Sequence, residues 1–201
     1  MIAPTVFVVD DDAAVRDSLR WLLESLQLKV ETFESAEQFL ENYSIYRVGC
    51  LLLDLRMPGM SGLQLQQRLA EQKFALPIII ITGHGDIPVA VRAVKNGAYD
   101  FIEKPFDNDR LVERVKDALE LDKEHHPKRL ALDAVNARIA NLTPREKQVL
   151  EFVIDNHSNK EIAAKLGVSI KTVEFHRARV MEKMHADSLL HLAQMVASTR
   201  A

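Results

Sequence analysis

Asp10, Asp11 and Asp12 stand in a row near the N-terminus, Asp54 follows one apolar run, Thr82 ends another, and Lys104 precedes Pro105. Carboxylates sharing a crevice repel one another unless a hard cation sits among them, and oxygen ligands with retained waters suit Mg²⁺. A carboxylate can also act as a nucleophile toward phosphorus. The metal, an ammonium and a hydroxyl would then stabilise the equatorial oxygens of a loose transition state. Chemistry of this kind requires residues far apart in the chain to meet.

The elements that must bring them together follow from hydrophobic patterning. Short β-branched or apolar runs at 5–9, 29–33, 49–53, 78–82 and 98–102 alternate with helical patterns, which predicts an α/β doubly wound, five-stranded parallel sheet. In such a sheet, ligands bind beyond the C-terminal ends of the strands where the strand order reverses. A flavodoxin-like order 2-1-3-4-5 would bring Asp10, Asp11 and Asp12 to Asp54, with Thr82 and Lys104 on the same rim. Ser35 with Gln38 and Ser61 with Gln64 have capping-box spacing, so each predicts a helix start. Asp12 reads as a helix N-cap in preference to a metal ligand.

The pattern changes at residue 122. A charged stretch through His125, His126 and Pro127 leads into helix formers up to Ala140, so 1–121 is the first domain and 122–141 a largely helical linker. Pro127 is expected to interrupt a continuous helix or to open a second one. Leu132, Val135 and Ile139 form a helical stripe, read as packing on the chain's own domains in preference to a short coiled coil. Residues 142–201 show no strand signal. Thr143, Ser158, Ser169 and Ser188 delimit four helices, and Gly167 supplies the tight turn of a helix-turn-helix.

Charge divides along the same boundary. Residues 1–121 hold 13 Lys/Arg against 19 Asp/Glu and the remainder 13 against 10, giving −6 and +3 within the total of −3. From Ser158 to Lys183 there are six basic residues, Lys160, Lys165, Lys171, Arg177, Arg179 and Lys183, against three acidic ones. Such a face suits a phosphate backbone, with a few side chains reaching base edges. The single Cys50 cannot form an internal disulfide and reads as a buried strand residue. His84, His125 and His126 have no partners spaced for zinc; His84 reads as a loop residue, and His125 and His126 as solvated linker residues. No apolar stretch approaches a membrane span and no signal segment is evident, so a cytoplasmic protein without membrane attachment is expected.

Val9-Asp10-Asp11, Asp54-Leu55-Arg56-Met57-Pro58-Gly59-Met60-Ser61-Gly62, Thr82-Gly83-His84 and Lys104-Pro105 resemble response-regulator receiver domains over residues 1 to 121. The resemblance implies that Asp54 is the phosphoacceptor and that Asp10, Asp11, Asp54 and the backbone carbonyl of Arg56 hold Mg²⁺. It makes Thr82 the switch hydroxyl, Lys104 the phosphate ligand and Phe101 the aromatic that turns inward, by packing alone because it lacks the hydroxyl of the tyrosine many relatives carry. Arg56 and His84 would influence hydrolysis of the phosphoryl group.

Leu142-Thr143-Pro144-Arg145-Glu146, Asn159-Lys160-Glu161-Ile162-Ala163 and Thr172-Val173-Glu174-Phe175-His176 look like the LuxR-type helix-turn-helix of NarL/FixJ regulators, nearest the FixJ-like branch. Expected DNA contacts are Lys160, Lys171, Thr172, Glu174, Phe175, His176, Arg177, Arg179 and Lys183. By family analogy Glu174 and Phe175 face the bases, and some relatives have lysine in place of Glu174. Implied partners are a sensor histidine kinase, double-stranded promoter DNA, RNA polymerase and, on phosphorylation, a second copy of the chain. The expected protein is a regulator, with no catalysis beyond phosphoryl transfer to and hydrolysis from Asp54. An aspartyl-phosphate phosphohydrolase would share the Asp, Thr, Lys and Mg²⁺ set, but Asp54 lacks the Asp-x-Asp nucleophile motif. A ligand-gated activator would need an apolar pocket, which an acidic crevice does not resemble.

Overall fold

A computed structural model describes residues 3–44, 46–72, 76–83 and 87–200. The chain divides into two compact units, residues 1–127 and 128–201. The first contains β1 (Thr5–Val9), α1 (Ala13–Ser25), β2 (Lys29–Phe33), α2 (Ala36–Asn42), β3 (Gly49–Leu53), α3 (Gly62–Glu71), β4 (Ile78–Thr82), α4 (Ile87–Lys95) and β5 (Asp100–Glu103). The helix α5 (Asn108–Ala140) begins in this unit and ends in the second.

All strand pairs are parallel, in the order β2-β1-β3-β4-β5. β1, β3 and β4 are buried throughout, as expected for strands covered on both faces. Alternation sorts their side chains into two cores. Phe7, Val9, Leu51, Leu53 and Ile80 pack with Phe39, Leu65 and Leu69, while Val8, Leu52, Ile79 and Ile81 pack with Leu19, Leu23, Leu111 and Val115. Each such side chain contributes about 1.5–3 kcal/mol of apolar burial. Cys50 is fully buried, and burial, assisted by the charge of Asp122, pushes its thiol pKa well up.

Register places the strand ends. Val9 pairs with Leu53, so Asp10 and Asp54 leave adjacent strands side by side, and Thr82 pairs with Glu103, setting Lys104 just beyond it. Asp12 caps α1 by accepting from Ala14 N at 2.8 Å, and Ser61 and Gln64 form a reciprocal capping box on α3.

Two boundaries differ from the sequence expectations. β5 starts at Asp100, not Ala98, because the Ala98 amide donates to Ala93 O at 3.0 Å, closing the end of α4 after Gly97 at φ +88°. Pro127 lies inside α5 and does not interrupt it. The missing donor and the crowded preceding turn cost roughly 3 kcal/mol. The helix is held on both sides of Pro127: Asp122 bonds to Gly49 of the first unit, and Val135 lies in the core of the second. The first unit therefore extends through residue 127, past the expected end at 121. Asp122 accepts a buried hydrogen bond from Gly49 N at 2.8 Å, so it belongs to the sheet's support. His125 is exposed, but His126 is buried, contrary to its reading as a solvated residue.

The second unit contains α6 (Pro144–Ile154), α7 (Asn159–Leu166), α8 (Ile170–Met184) and α9 (Leu189–Arg200) around a core of Val149, Ile162, Val173, Val180, Met184 and Leu192. Thr143 with Glu146 and Ser158 with Glu161 form complete capping boxes, and Gly167 closes α7 in the left-handed conformation at φ 64°.

Candidate functional sites: an acidic crevice and a basic helix face

At the C-terminal edge of the sheet the Lys104 ammonium joins two carboxylates. It donates to Asp10 Oδ2 at 2.6 Å and to Asp54 Oδ1 at 3.0 Å. Asp10 Oδ1 accepts from Asp12 N at 2.9 Å, and Asp54 Oδ2 from Arg56 N at 2.6 Å. Both carboxylates are thus held in place and largely buried. Burial raises the Asp10 pKa against the opposing Lys104 and Asp12 hydrogen bonds. Burial also disfavours the Lys104 ammonium, but its hydrogen bonds to Asp10 and Asp54 outweigh that and raise its pKa above the ordinary value.

Thr82 is buried at the end of β4, and Lys104 N donates to Thr82 O at 2.8 Å, which ties the two rim positions together. Phe101 is half-buried against the core that contains Val9 and Leu53. Asp11 is exposed. His84, with Gly85 and Asp86, lies outside the described residues.

Mg²⁺ requires hard oxygen donors, and Asp10, Asp11, Asp54 and the Arg56 carbonyl supply that type. Among the described residues no three acidic, histidine or cysteine side chains are gathered tightly enough to enclose a metal ion. Asp10 and Asp54 instead share the Lys104 ammonium. The donor chemistry fits the ion; the shared ammonium is the contact that its binding would have to rearrange.

Two supporting residues had only weak sequence signals. A Cβ on Gly62 would lie 2.2 Å from Asp54 O, so only glycine allows α3 to start this close to the end of β3. Arg16 donates to Asp10 O at 2.7 Å. Gly62 falls within the motif quoted above, while nothing local singles out Arg16.

In the second unit, Lys160, Lys171, Glu174 and Arg179 are exposed, and Phe175 is 59% exposed. The Arg179 guanidinium sits 5.7 Å from the centre of the Phe175 ring and 2.8 Å from Glu182 Oε2. Thr172 and His176 are half-buried. The other two expected contacts are engaged within the unit. Arg177 Nη1 donates to Asn159 Oδ1 at 2.7 Å, and Lys183 Nζ donates to the buried Glu146 Oε2 at 2.7 Å. The Lys183 ammonium, with the Thr143 amide and hydroxyl, holds the Glu146 carboxyl below its ordinary pKa.

A parallel sheet with a carboxylate, hydroxyl and ammonium crevice, joined in one chain to a helix-turn-helix unit, defines a class. Residues 6–116 match the response regulator receiver domain family, and residues 140–196 match the luxR family of bacterial regulatory proteins. The chain belongs to the response regulators with a receiver domain and a LuxR-type helix-turn-helix domain, and is FixJ-like. It is 44% identical over 190 residues to the transcriptional regulatory protein FixJ of Bradyrhizobium diazoefficiens, covering 94% of this chain and 93% of that one. It is 47% identical over 194 residues to the transcriptional regulatory protein TdiR of Thauera aromatica, covering 96% and 86%. Among solved structures, the response regulator StyR matches with a TM-score of 0.68 at 45% identity, covering 97% of this chain and 98% of that one. Full-length FixJ from B. japonicum matches with a TM-score of 0.57 at 41% identity, covering 100% and 98%. No helix among the described residues is long and apolar enough to cross a membrane.

Proposed function

We propose that Asp54 accepts a phosphoryl group from a phosphohistidine of a sensor kinase and that this modification switches promoter binding by the second unit. The observation that carries this reading is the bridge from Lys104 to Asp10 and Asp54 at adjacent strand ends. An Asp54 carboxylate oxygen bonds to phosphorus as the bond from phosphorus to the kinase histidine nitrogen breaks. Lys104 then turns from the carboxylate to a phosphoryl oxygen, and the Thr82 hydroxyl donates to another. Phe101 follows by repacking against the core it borders. When bound by Asp10, Asp11, Asp54 and the Arg56 carbonyl, Mg²⁺ supplies positive charge to the phosphoryl oxygens. Water attacking the same phosphorus breaks its bond to the Asp54 oxygen, releasing inorganic phosphate and restoring the carboxylate.

A partner kinase has a route to this rim. Ala14, Val15, Ser18 and Leu19 of α1 form an apolar groove with Pro105 and Phe106, immediately beside Lys104. The output is recognition of double-stranded promoter DNA by the helix-turn-helix, with Lys160 of α7 and Lys171 and Arg179 of α8 meeting phosphates and Glu174 and Phe175 of α8 meeting bases. Glutamate can accept from cytosine N4, and an apolar ring can contact a thymine methyl. Phosphorylated chains act as homodimers that recruit RNA polymerase and activate transcription in the cytoplasm.

Acetyl phosphate with Mg²⁺ provides the test. Intact-protein mass spectrometry is expected to show one phosphoryl adduct on the unmodified chain, with a rise in DNA affinity and in dimer population. Asp54→Asn is expected to lose all three. A full response by that variant would refute this function.

A further inference from the structure

Arg177, expected from the sequence among the DNA contacts, sits beside the core on α8. It lies four residues after Val173 and three before Val180, both fully buried, so it shares the flank of the core stripe. It is half-buried, and its guanidinium donates at 2.7 Å to Asn159, the first residue of α7. Asn159 directly follows Ser158, whose capping box with Glu161 fixes the start of α7. The acceptor is therefore held on a firm base.

The two ends of α8 are tied to different elements. Near its C-terminal end, Lys183 pairs with Glu146 of α6, and Arg138 Nη1 donates to Met184 O at 3.2 Å. The half that carries Glu174 and Phe175 has the Asn159–Arg177 hydrogen bond. Arg179 and Lys171, by contrast, are exposed on the opposite side of the helix.

We propose that Asn159 and Arg177 form a brace that sets the angle of α8 against α7 and so the presentation of Glu174 and Phe175 to base edges. Arg177 is then a positioning residue and not a phosphate contact. The proposal rests on the reading of α8 as the DNA-binding helix. It makes a distinction that electrostatics can measure. Loss of a phosphate contact weakens all sequences equally and lowers the salt slope by about 1, whereas loss of a positioning residue lowers discrimination at constant slope.

The experiment uses the full chain treated with acetyl phosphate and Mg²⁺, a duplex enriched by that chain from a randomised pool, and a random-sequence duplex of equal length. Arg177→Ala and Asn159→Ala are each expected to lower the ratio of the two affinities about tenfold, the scale of one hydrogen bond to a charged group. The double variant is expected to be no worse than either single one, and the salt slope on the random duplex to stay unchanged. Asn159→Asp keeps an acceptor for Arg177 and is expected to retain the ratio, which separates the brace from a general folding defect. A salt slope lowered by about 1 in Arg177→Ala alone would overturn the proposal. So would an unchanged ratio in both alanine variants, or equal loss in Asn159→Asp and Asn159→Ala. If the unmodified chain enriched no duplex, the DNA-binding reading itself would fall, a result reached before any variant is made.

Discussion

The crevice and the helix face are built on opposite plans. The crevice gathers side chains from the ends of four strands, β1, β3, β4 and β5, and its polar groups bond to each other: Lys104 joins Asp10 to Asp54, and backbone amides hold the remaining carboxylate oxygens. The helix face comes from one continuous segment, and its exposed members Lys171, Glu174 and Phe175 stand clear of the core. A site for covalent chemistry needs its groups within ångströms before the reactant arrives. A face that meets a polyanion needs charge of the right sign on a rigid support. The first plan is therefore sensitive to single atoms, and the second spreads its effect over many residues.

That contrast predicts a graded series of losses. Asp54→Asn stands first: phosphodonor-dependent DNA binding is expected to vanish while thermal unfolding of both units stays close to that of the unmodified chain. Gly62→Ala comes next. Its Cβ would meet Asp54 O at 2.2 Å, so the first unit must shift, at an overpacking cost of about 1–3 kcal/mol. Calorimetry should show the receiver transition falling with the helical unit unmoved, and equal shifts in both would break the comparison.

Glu146→Ala removes the capping box and the partner of Lys183 together, and about 1–3 kcal/mol of stability in the second unit should go with it. The same carboxyl gives a pH signature. Its folded pKa is depressed below the ordinary value of 4.5, so its stabilisation is present above that pH and is lost as pH falls toward the folded value. Acid titration of the unmodified chain and Glu146→Gln should therefore converge below pH 4.5. The smallest effect is expected of Lys171→Ala. DNA affinity should weaken uniformly across sequences with a salt slope lower by about 1, measured by binding titrations at several salt concentrations.

Much of this was legible in the residues. The apolar runs defined the strands because a strand covered on both faces has no polar side to show. Asp12, Ser61, Thr143 and Ser158 announced helix starts because exposed amides at a helix end need a nearby acceptor. Other features depend on remote partners. Asp122 opens the charged run expected to be linker, yet its carboxylate accepts from the Gly49 amide. Ala98 has strand-like neighbours, yet its amide closes α4. Charge alone could not distinguish Arg177 and Lys183, which brace α8 internally, from Lys171 and Arg179, which are exposed.

The sequence by itself determined the order of elements, their caps and the kinds of chemical group available, because each is set by neighbours within a turn or a strand. The fold decided which groups act together. Parallel register put Asp10 beside Asp54 and Lys104 between them, and helix packing directed Arg177 and Lys183 inward. These pairings join residues brought close only when the cores close, and hydrogen bonds have a reach of about 3 Å.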